Sequence, residues 1–63
     1  MDQNKDVKIL LAEDEGDARV IYLDILGMGG YKVDGAENGN KALELLAENN
    51  YDLLLLDIIM PDI

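Results

Sequence analysis

The sequence contains no cysteine, which excludes disulfide bonds and thiolate metal sites as sources of stability. No apolar run exceeds four residues, whereas a membrane-spanning helix needs roughly 20 apolar residues. Residues 1–6 (MDQNKD) do not have the character of a secretory signal peptide. These absences predict a cytoplasmic protein with no membrane partner.

Basic side chains are scarce as well, with 5 Lys and Arg against 14 Asp and Glu and a formal net charge of −9. Nucleic acid is not expected as a partner, because phosphate binding needs clustered Lys and Arg. We interpret most of the acidic side chains as a solvated surface. The hydrophobic content of 49% is too high for a disordered tail.

The length of 63 residues allows one small domain, predicted over residues 1–63. A domain of this size buries only about 60% of the surface that its unfolded chain exposes, so its stability is marginal. Without disulfides, self-association is the expected route to further stability.

Hydrophobic patterning predicts the order β-α-β-α-β. Strands are predicted over 7–12, 31–36 and 53–57, and helices over 17–28 and from the capping turn at 38–40 as far as residue 50. Strands that alternate with short helices favour a parallel sheet with right-handed crossovers. The third strand contains four consecutive leucines, and a strand of that kind is typically covered on both faces.

The first helix carries one apolar face at helical spacing. The residues that we predict to pack against the sheet are Ala18, Ile21, Tyr22, Ile25 and Leu26. Val20 and Leu23 lie off this face. Their predicted exposure has two explanations. It is due to chance, since scattered surface apolar residues are normal, or it serves a contact with a partner or a second copy.

Acidic residues follow two of the predicted strands. Glu13, Asp14 and Glu15 follow the first strand, and Asp57 follows the four leucines of the third. If these strands are parallel neighbours, the acidic ends meet at one edge of the sheet as a candidate metal and phosphoryl-transfer site. Solvated loop carboxylates are the alternative, and Glu15 is interpreted as a helix-start acid favoured by the helix dipole.

Three sequence segments in matching register carry a family resemblance. They are residues 9–15 (ILLAEDE), 36–43 (AENGNKAL) and 52–62 (DLLLLDIIMPD). The chain resembles the N-terminal half of a response-regulator receiver domain, the flavodoxin-like phosphorelay module of two-component systems. The resemblance implies half of a doubly wound α/β fold, with sheet order 2-1-3, one helix on each face and the third strand at an edge. An unpaired, leucine-rich edge strand is prone to association, so we expect dimerisation through the third strand to complete the fold.

The resemblance also implies roles for individual residues. Asp57 is the implied phosphoacceptor and a metal ligand, Asp14 binds Mg²⁺ directly, and Glu13 binds it directly or through water. The backbone carbonyl of Ile59 completes the implied ligand set, and residues 60–61 match the turn that follows the acceptor. A carboxylate can hold a phosphoryl group as an aspartyl-phosphate, and Mg²⁺ prefers oxygen ligands. Mg²⁺ binding is expected to be weak or absent in a truncated chain.

Two hypotheses of different classes follow. The first is a phosphoacceptor module, not an enzyme, that binds a histidine kinase through Val20 and Leu23 of the first helix. The second is a structural half-domain, a fragment or an engineered chain, that self-associates through its third strand and carries a vestigial site. The family's further strands, with a Ser or Thr hydroxyl and a Lys at the phosphoryl group, have no counterpart in the 63 residues.

Overall fold

The structure, a computed structural model, describes residues 6–56. It contains β1 (Lys8–Ala12), α1 (Gly16–Met28), β2 (Lys32–Ala36), α2 (Gly39–Glu48) and β3 (Leu53–Leu56). The predicted order of elements is confirmed, and the bounds agree to within one or two residues. Residue 57, the predicted end of the third strand, lies outside the described residues. Neither helix of this described part is long and apolar enough to cross a membrane.

The three strands form a parallel sheet in the order β2-β1-β3. The register pairs Ala12 of β1 with Ala36 of β2 on one side and with Leu56 of β3 on the other. The sheet therefore has the predicted order 2-1-3, which is half of a flavodoxin-like fold, and β1 is its central strand.

One helix covers each face of the sheet, as two neighbouring residues of β2 show. Successive side chains of a strand point to opposite faces. A Cβ atom built on Gly35 would lie 3.0 Å from Cδ1 of Leu23 in α1, whereas Ala36 belongs to a buried cluster with Ala42 of α2. The missing side chain of Gly35 thus lets α1 approach the sheet closely.

The core is centred on β1, whose apolar residues Ile9, Leu10, Leu11 and Ala12 are all at most 2% exposed. A central strand reaches this burial because it has a neighbour on each edge and a helix on each face. On the α2 face the core cluster consists of Leu10, Ala12, Ala36 and Ala42, with Leu45 and Tyr51 packed against it.

Local capping explains where the helices begin and end. The side chain of Glu15 accepts a hydrogen bond from the Ala18 amide at 2.8 Å, and that of Asn38 accepts one from the Lys41 amide at 2.7 Å. Each cap satisfies an amide that has no partner within its helix. Helix α1 ends before Gly30, whose φ of 92° is a left-handed conformation that glycine adopts at low cost.

The part of α1 that contacts the sheet differs from the predicted one. Leu23, predicted to lie off the core face, is half-buried and packs over Gly35, whereas Ile21 and Ile25, predicted to be core, are 55% and 57% exposed. The prediction was wrong because the apolar arc of α1 is wider than its contact with the sheet, so spacing alone does not select the contacting part. Val20 is 56% exposed, as predicted.

Strand β3 remains largely bare within residues 6–56. Leu53, Leu54 and Leu56 are 47%, 40% and 50% exposed, because both helices pack over β1 and β2. An open apolar groove of about 340 Å³ separates β3 from α1. The groove is lined by Leu11, Tyr22, Ile25, Leu26, Leu55 and Leu56.

A polar cluster fastens the start of β3 to its neighbours, at the end of the sheet opposite the acidic residues. Tyr51 Oη donates a hydrogen bond to Asp34 Oδ2 at 2.6 Å, and Lys8 Nζ lies 3.9 Å from the same oxygen and 5.1 Å from the Tyr51 ring centroid. Asp52 exchanges two hydrogen bonds with the Lys8 backbone, at 2.7 and 2.8 Å. This cluster has a structural role, because it links β2, β1 and the segment that leads into β3.

The Tyr51 phenol gives the fold a pH dependence. Partial burial, followed by the hydrogen bond to Asp34 and the charges of Asp34 and Glu48, raises the pKa of Tyr51 to about 12. The folded state therefore holds the proton more tightly than the unfolded state, where the pKa is about 10. This stabilisation is complete below pH 10 and is lost as the pH rises through about 12.

We therefore expect Tyr51→Phe to lose less stability than the wild type between pH 10 and pH 12. Urea unfolding at a series of pH values measures this difference. The control is Tyr31→Phe, which removes a different phenol, at the residue before β2. Equal pH slopes for the wild type and Tyr51→Phe would contradict the assignment.

Candidate functional site

The candidate site lies at the edge of the sheet where β1 and β3 end. The described register finishes with the pair Ala12 and Leu56, so the two strands end side by side. Glu13 directly follows β1, and its amide donates to the Ala36 carbonyl at 3.0 Å, which continues the β1–β2 pairing. Asp57 and Ile59, the predicted phosphoacceptor and carbonyl ligand, lie outside the described residues, and their roles remain predictions.

Glu13 and Asp14, the two predicted metal ligands after β1, have different environments. Glu13 is 5% exposed, and its Oε2 accepts a hydrogen bond from the Glu15 amide at 2.9 Å. Asp14 is exposed, and its carboxylate makes no hydrogen bond within residues 6–56. The Asp14 oxygens therefore face solvent, while one oxygen of Glu13 is used to shape the loop.

Glu15, the third acid of the series, belongs to the helix. Its Oε1 caps the first turn of α1 through the Ala18 amide. This confirms the interpretation of Glu15 as a helix-start acid and removes it from the candidate ligands.

The contact of Arg19 with this loop could not be predicted from the sequence pattern alone. Nη1 of Arg19 donates a hydrogen bond to the Glu13 carbonyl at 2.9 Å. Two features of the sequence are consistent with this contact, although neither specifies the atom that Arg19 binds. Arg19 is the only arginine of the chain, and it lies four residues after Glu15, which is one turn along α1.

The donor set suits a small, hard cation. Mg²⁺ is held in proteins by one or two carboxylates and keeps several waters. Glu13 and Asp14 supply carboxylate oxygens at the site. No group of three or more His, Cys, Asp or Glu side chains suited to a metal ion comes together within residues 6–56. The described residues thus fit part of a Mg²⁺ site.

A three-stranded parallel sheet of order 2-1-3, with acidic residues where its central strand ends, is half of a flavodoxin-like α/β fold. Comparison with protein families specifies the class further, because the model of the response regulator receiver domain matches residues 9–63. The chain belongs to the response regulator receiver domain family. Receiver domains bind Mg²⁺ at their phosphorylation site, and response regulators interact with histidine kinases and often dimerise.

Known relatives include a "Transcriptional regulatory protein ResD" of Bacillus subtilis (strain 168), 44% identical over 61 residues, which cover 97% of this chain and 25% of the relative. A "Response regulator receiver protein CpdR" of Brucella abortus (strain 2308) is 46% identical over 87% of this chain and 46% of its own length. A "Transcriptional regulatory protein CpxR" of Escherichia coli (strain K12) is 43% identical over 86% of this chain and 23% of its own length. The chain thus spans less than half the length of these relatives.

Proposed function

We propose that this chain is a phosphoacceptor module of two-component signal transduction and that Asp57 receives the phosphoryl group. The observation that carries the proposal is the parallel register of β1 and β3 up to Ala12 and Leu56. Asp14 follows β1 by two residues, and Asp57 follows β3 by one. Membership of the receiver family supports the same assignment.

The proposed chemistry is one nucleophilic substitution at phosphorus. A carboxylate oxygen of Asp57 attacks the phosphorus of the donor, a new P–O bond forms, and the donor's bond to its leaving group breaks with the electron pair. The attacking carboxylate and the incoming group are both anionic. Mg²⁺ held by Asp14, Glu13, Asp57 and the Ile59 carbonyl would neutralise that charge. The protein accepts the group and is not itself a classical enzyme.

We propose a histidine kinase as the partner, docked on α1. Val20 supports this surface because its side chain is 56% exposed. Leu23 does not support this surface, because it packs over Gly35.

The cytoplasm is the proposed compartment, in keeping with the receiver family and the absence of cysteine.

A second candidate function is that of a self-associating half-domain, favoured by one specific observation. Three of the four β3 leucines are at least 40% exposed among the described residues, and an exposed hydrophobic edge strand pairs readily with another chain. In this proposal two or more copies associate through β3.

Incubation with a small-molecule phosphodonor and Mg²⁺, followed by intact-mass measurement, tests the phosphoacceptor proposal. We expect labelling of one site, which is lost in Asp57→Asn and strongly reduced in Asp14→Asn, because the first variant removes the proposed nucleophile and the second removes a proposed metal ligand. Labelling that persists in Asp57→Asn would contradict the assigned acceptor.

The matched control for these variants is Asp24→Asn, which makes the same change of charge at an exposed position of α1. It should be labelled like the wild type. Equal loss of labelling in Asp24→Asn and Asp14→Asn would show that net charge, and not the site, governs the reaction.

A further inference from the structure

We propose that Arg19 is a positioning residue for the acidic loop, because it holds the Glu13 carbonyl and so sets the direction of Asp14. The proposal rests on the phosphoacceptor function, in which Asp14 is a metal ligand. Its first support is the hydrogen bond of 2.9 Å from Arg19 Nη1 to the Glu13 carbonyl.

The geometry of Glu13 explains why this contact reaches Asp14. The Glu13 amide is bound to the Ala36 carbonyl at 3.0 Å, its Oε2 to the Glu15 amide at 2.9 Å, and its carbonyl to Arg19. The Glu13 carbonyl and the Asp14 amide belong to one planar peptide unit. Fixing that carbonyl therefore fixes the plane from which the Asp14 side chain departs.

Arg19 is itself held by packing. A Cβ built on Gly35 would lie 3.4 and 3.5 Å from Cδ and Cγ of Arg19, so the arginine stem occupies the space that the glycine leaves open. The Arg19 amide is also bound to the Glu15 carbonyl at 2.9 Å, within the first turn of α1. A half-buried stem with few available rotamers can aim its guanidinium reproducibly.

A purely electrostatic role for Arg19 makes the opposite prediction. A guanidinium near the site repels Mg²⁺, so its removal would strengthen metal binding. Loss of a group that orients metal ligands instead weakens binding, typically about 10–100-fold. The sign of the change in affinity separates the two roles.

The test compares the wild-type chain with Arg19→Gln and Arg19→Lys, using Mg²⁺ alone as the probe. We expect Arg19→Gln to bind Mg²⁺ roughly 10-fold more weakly in an NMR titration, and Arg19→Lys to recover part of the affinity through its single ammonium donor. Amide hydrogen exchange supplies a readout without metal. Protection of the Glu15 amide should fall in Arg19→Gln, whereas that of the Lys41 amide, capped by Asn38 in α2, should stay unchanged.

Two glycines offer an independent pair of variants. Gly35→Val should displace the arginine stem and reduce both Glu15 protection and Mg²⁺ affinity. Gly27→Ala, where a Cβ meets nothing within 4 Å, should change neither.

Unchanged Glu15 protection in Arg19→Gln, or tighter Mg²⁺ binding, would overturn the inference. Failure of the proposed function has a different signature, namely Mg²⁺ binding by the wild type that is absent or unaffected by Asp14→Asn. The metal-free exchange of the Glu15 amide still decides the role of Arg19 in that case. If Arg19→Gln unfolds, Arg19→Lys decides by the same two measurements.

Discussion

Replacing Leu54 and Leu56 of β3 with lysine is expected to convert a self-associating chain into a monomer of 7.0 kDa. Both positions are at least 40% exposed within the described part of the chain, so a lysine there can keep its ammonium group in solvent while its stem lies along the strand. Lysine on an edge strand opposes pairing with another chain, because pairing would desolvate the charge and bring like charges together. Sedimentation velocity at micromolar concentration measures the change.

Leu43→Lys is the matched control, because Leu43 is also an exposed leucine, at 65%, but lies on α2 away from β3. This variant should sediment as the same oligomeric species as the wild type. A wild-type chain that is folded and monomeric at micromolar concentration would contradict the prediction. Dissociation of the Leu43→Lys control to the same extent as the β3 variant would also contradict it.

Salt provides a second check on the same association. Each chain has a formal net charge of −9, so two copies repel one another. Salt screens this repulsion, with a Debye length of about 10 Å at 0.1 M. Association through apolar β3 should therefore strengthen as salt is raised, whereas association through ion pairs would weaken.

Pairing of strand edges covers only part of what β3 exposes. A second strand satisfies the free backbone groups, but the helices of each chain lie over β1 and β2. The side chains on both faces of β3 would therefore remain exposed between the helices of the two chains. Complete burial requires apolar groups above and below β3, and the groove beside α1 is one of the two places for them.

The sequence was sufficient to predict the element order and the sheet topology. Continuous apolar runs, such as residues 9–12 and 53–56, indicate strands, whereas apolar residues at helical spacing indicate α1 and α2. Capping residues mark the helix starts, and Asn38 caps α2 as predicted. These signals are local, so they can be identified before any tertiary contact is known.

Two features could not be predicted because they depend on tertiary contacts. Leu23 and the aliphatic stem of Arg19 pack over Gly35, and helical spacing alone does not specify which part of the wide apolar arc of α1 makes this contact. The hydrogen bond from Arg19 to the Glu13 carbonyl joins a side chain to a backbone atom six residues away, a contact with no periodic pattern. The position of Glu13 and Asp14 after β1 was predicted, since it follows from the strand end itself.

Millimolar Mg²⁺ is expected to raise the melting temperature of the wild-type chain by several degrees, and Asp14→Asn should abolish that shift. A ligand that binds only the folded state stabilises it by about 1.4 kcal/mol when its free concentration is roughly ten times the Kd. For a domain of this size that corresponds to roughly 6 to 11 °C, at ~4–8 °C per kcal/mol. Differential scanning fluorimetry across a Mg²⁺ series measures the shift.

The metal-free melting temperature makes this test specific to the site. Asp14 is exposed, and its carboxylate makes no hydrogen bond to another of the described residues, so Asp14→Asn should not lower stability without Mg²⁺. We expect the substitution to raise the metal-free melting temperature slightly, because it removes one of three consecutive acidic charges. Asp24→Asn, with the same change of charge on α1, should retain the full Mg²⁺ shift. A shift that survives in Asp14→Asn would mean that Mg²⁺ acts on the overall charge of −9 and not at the end of β1.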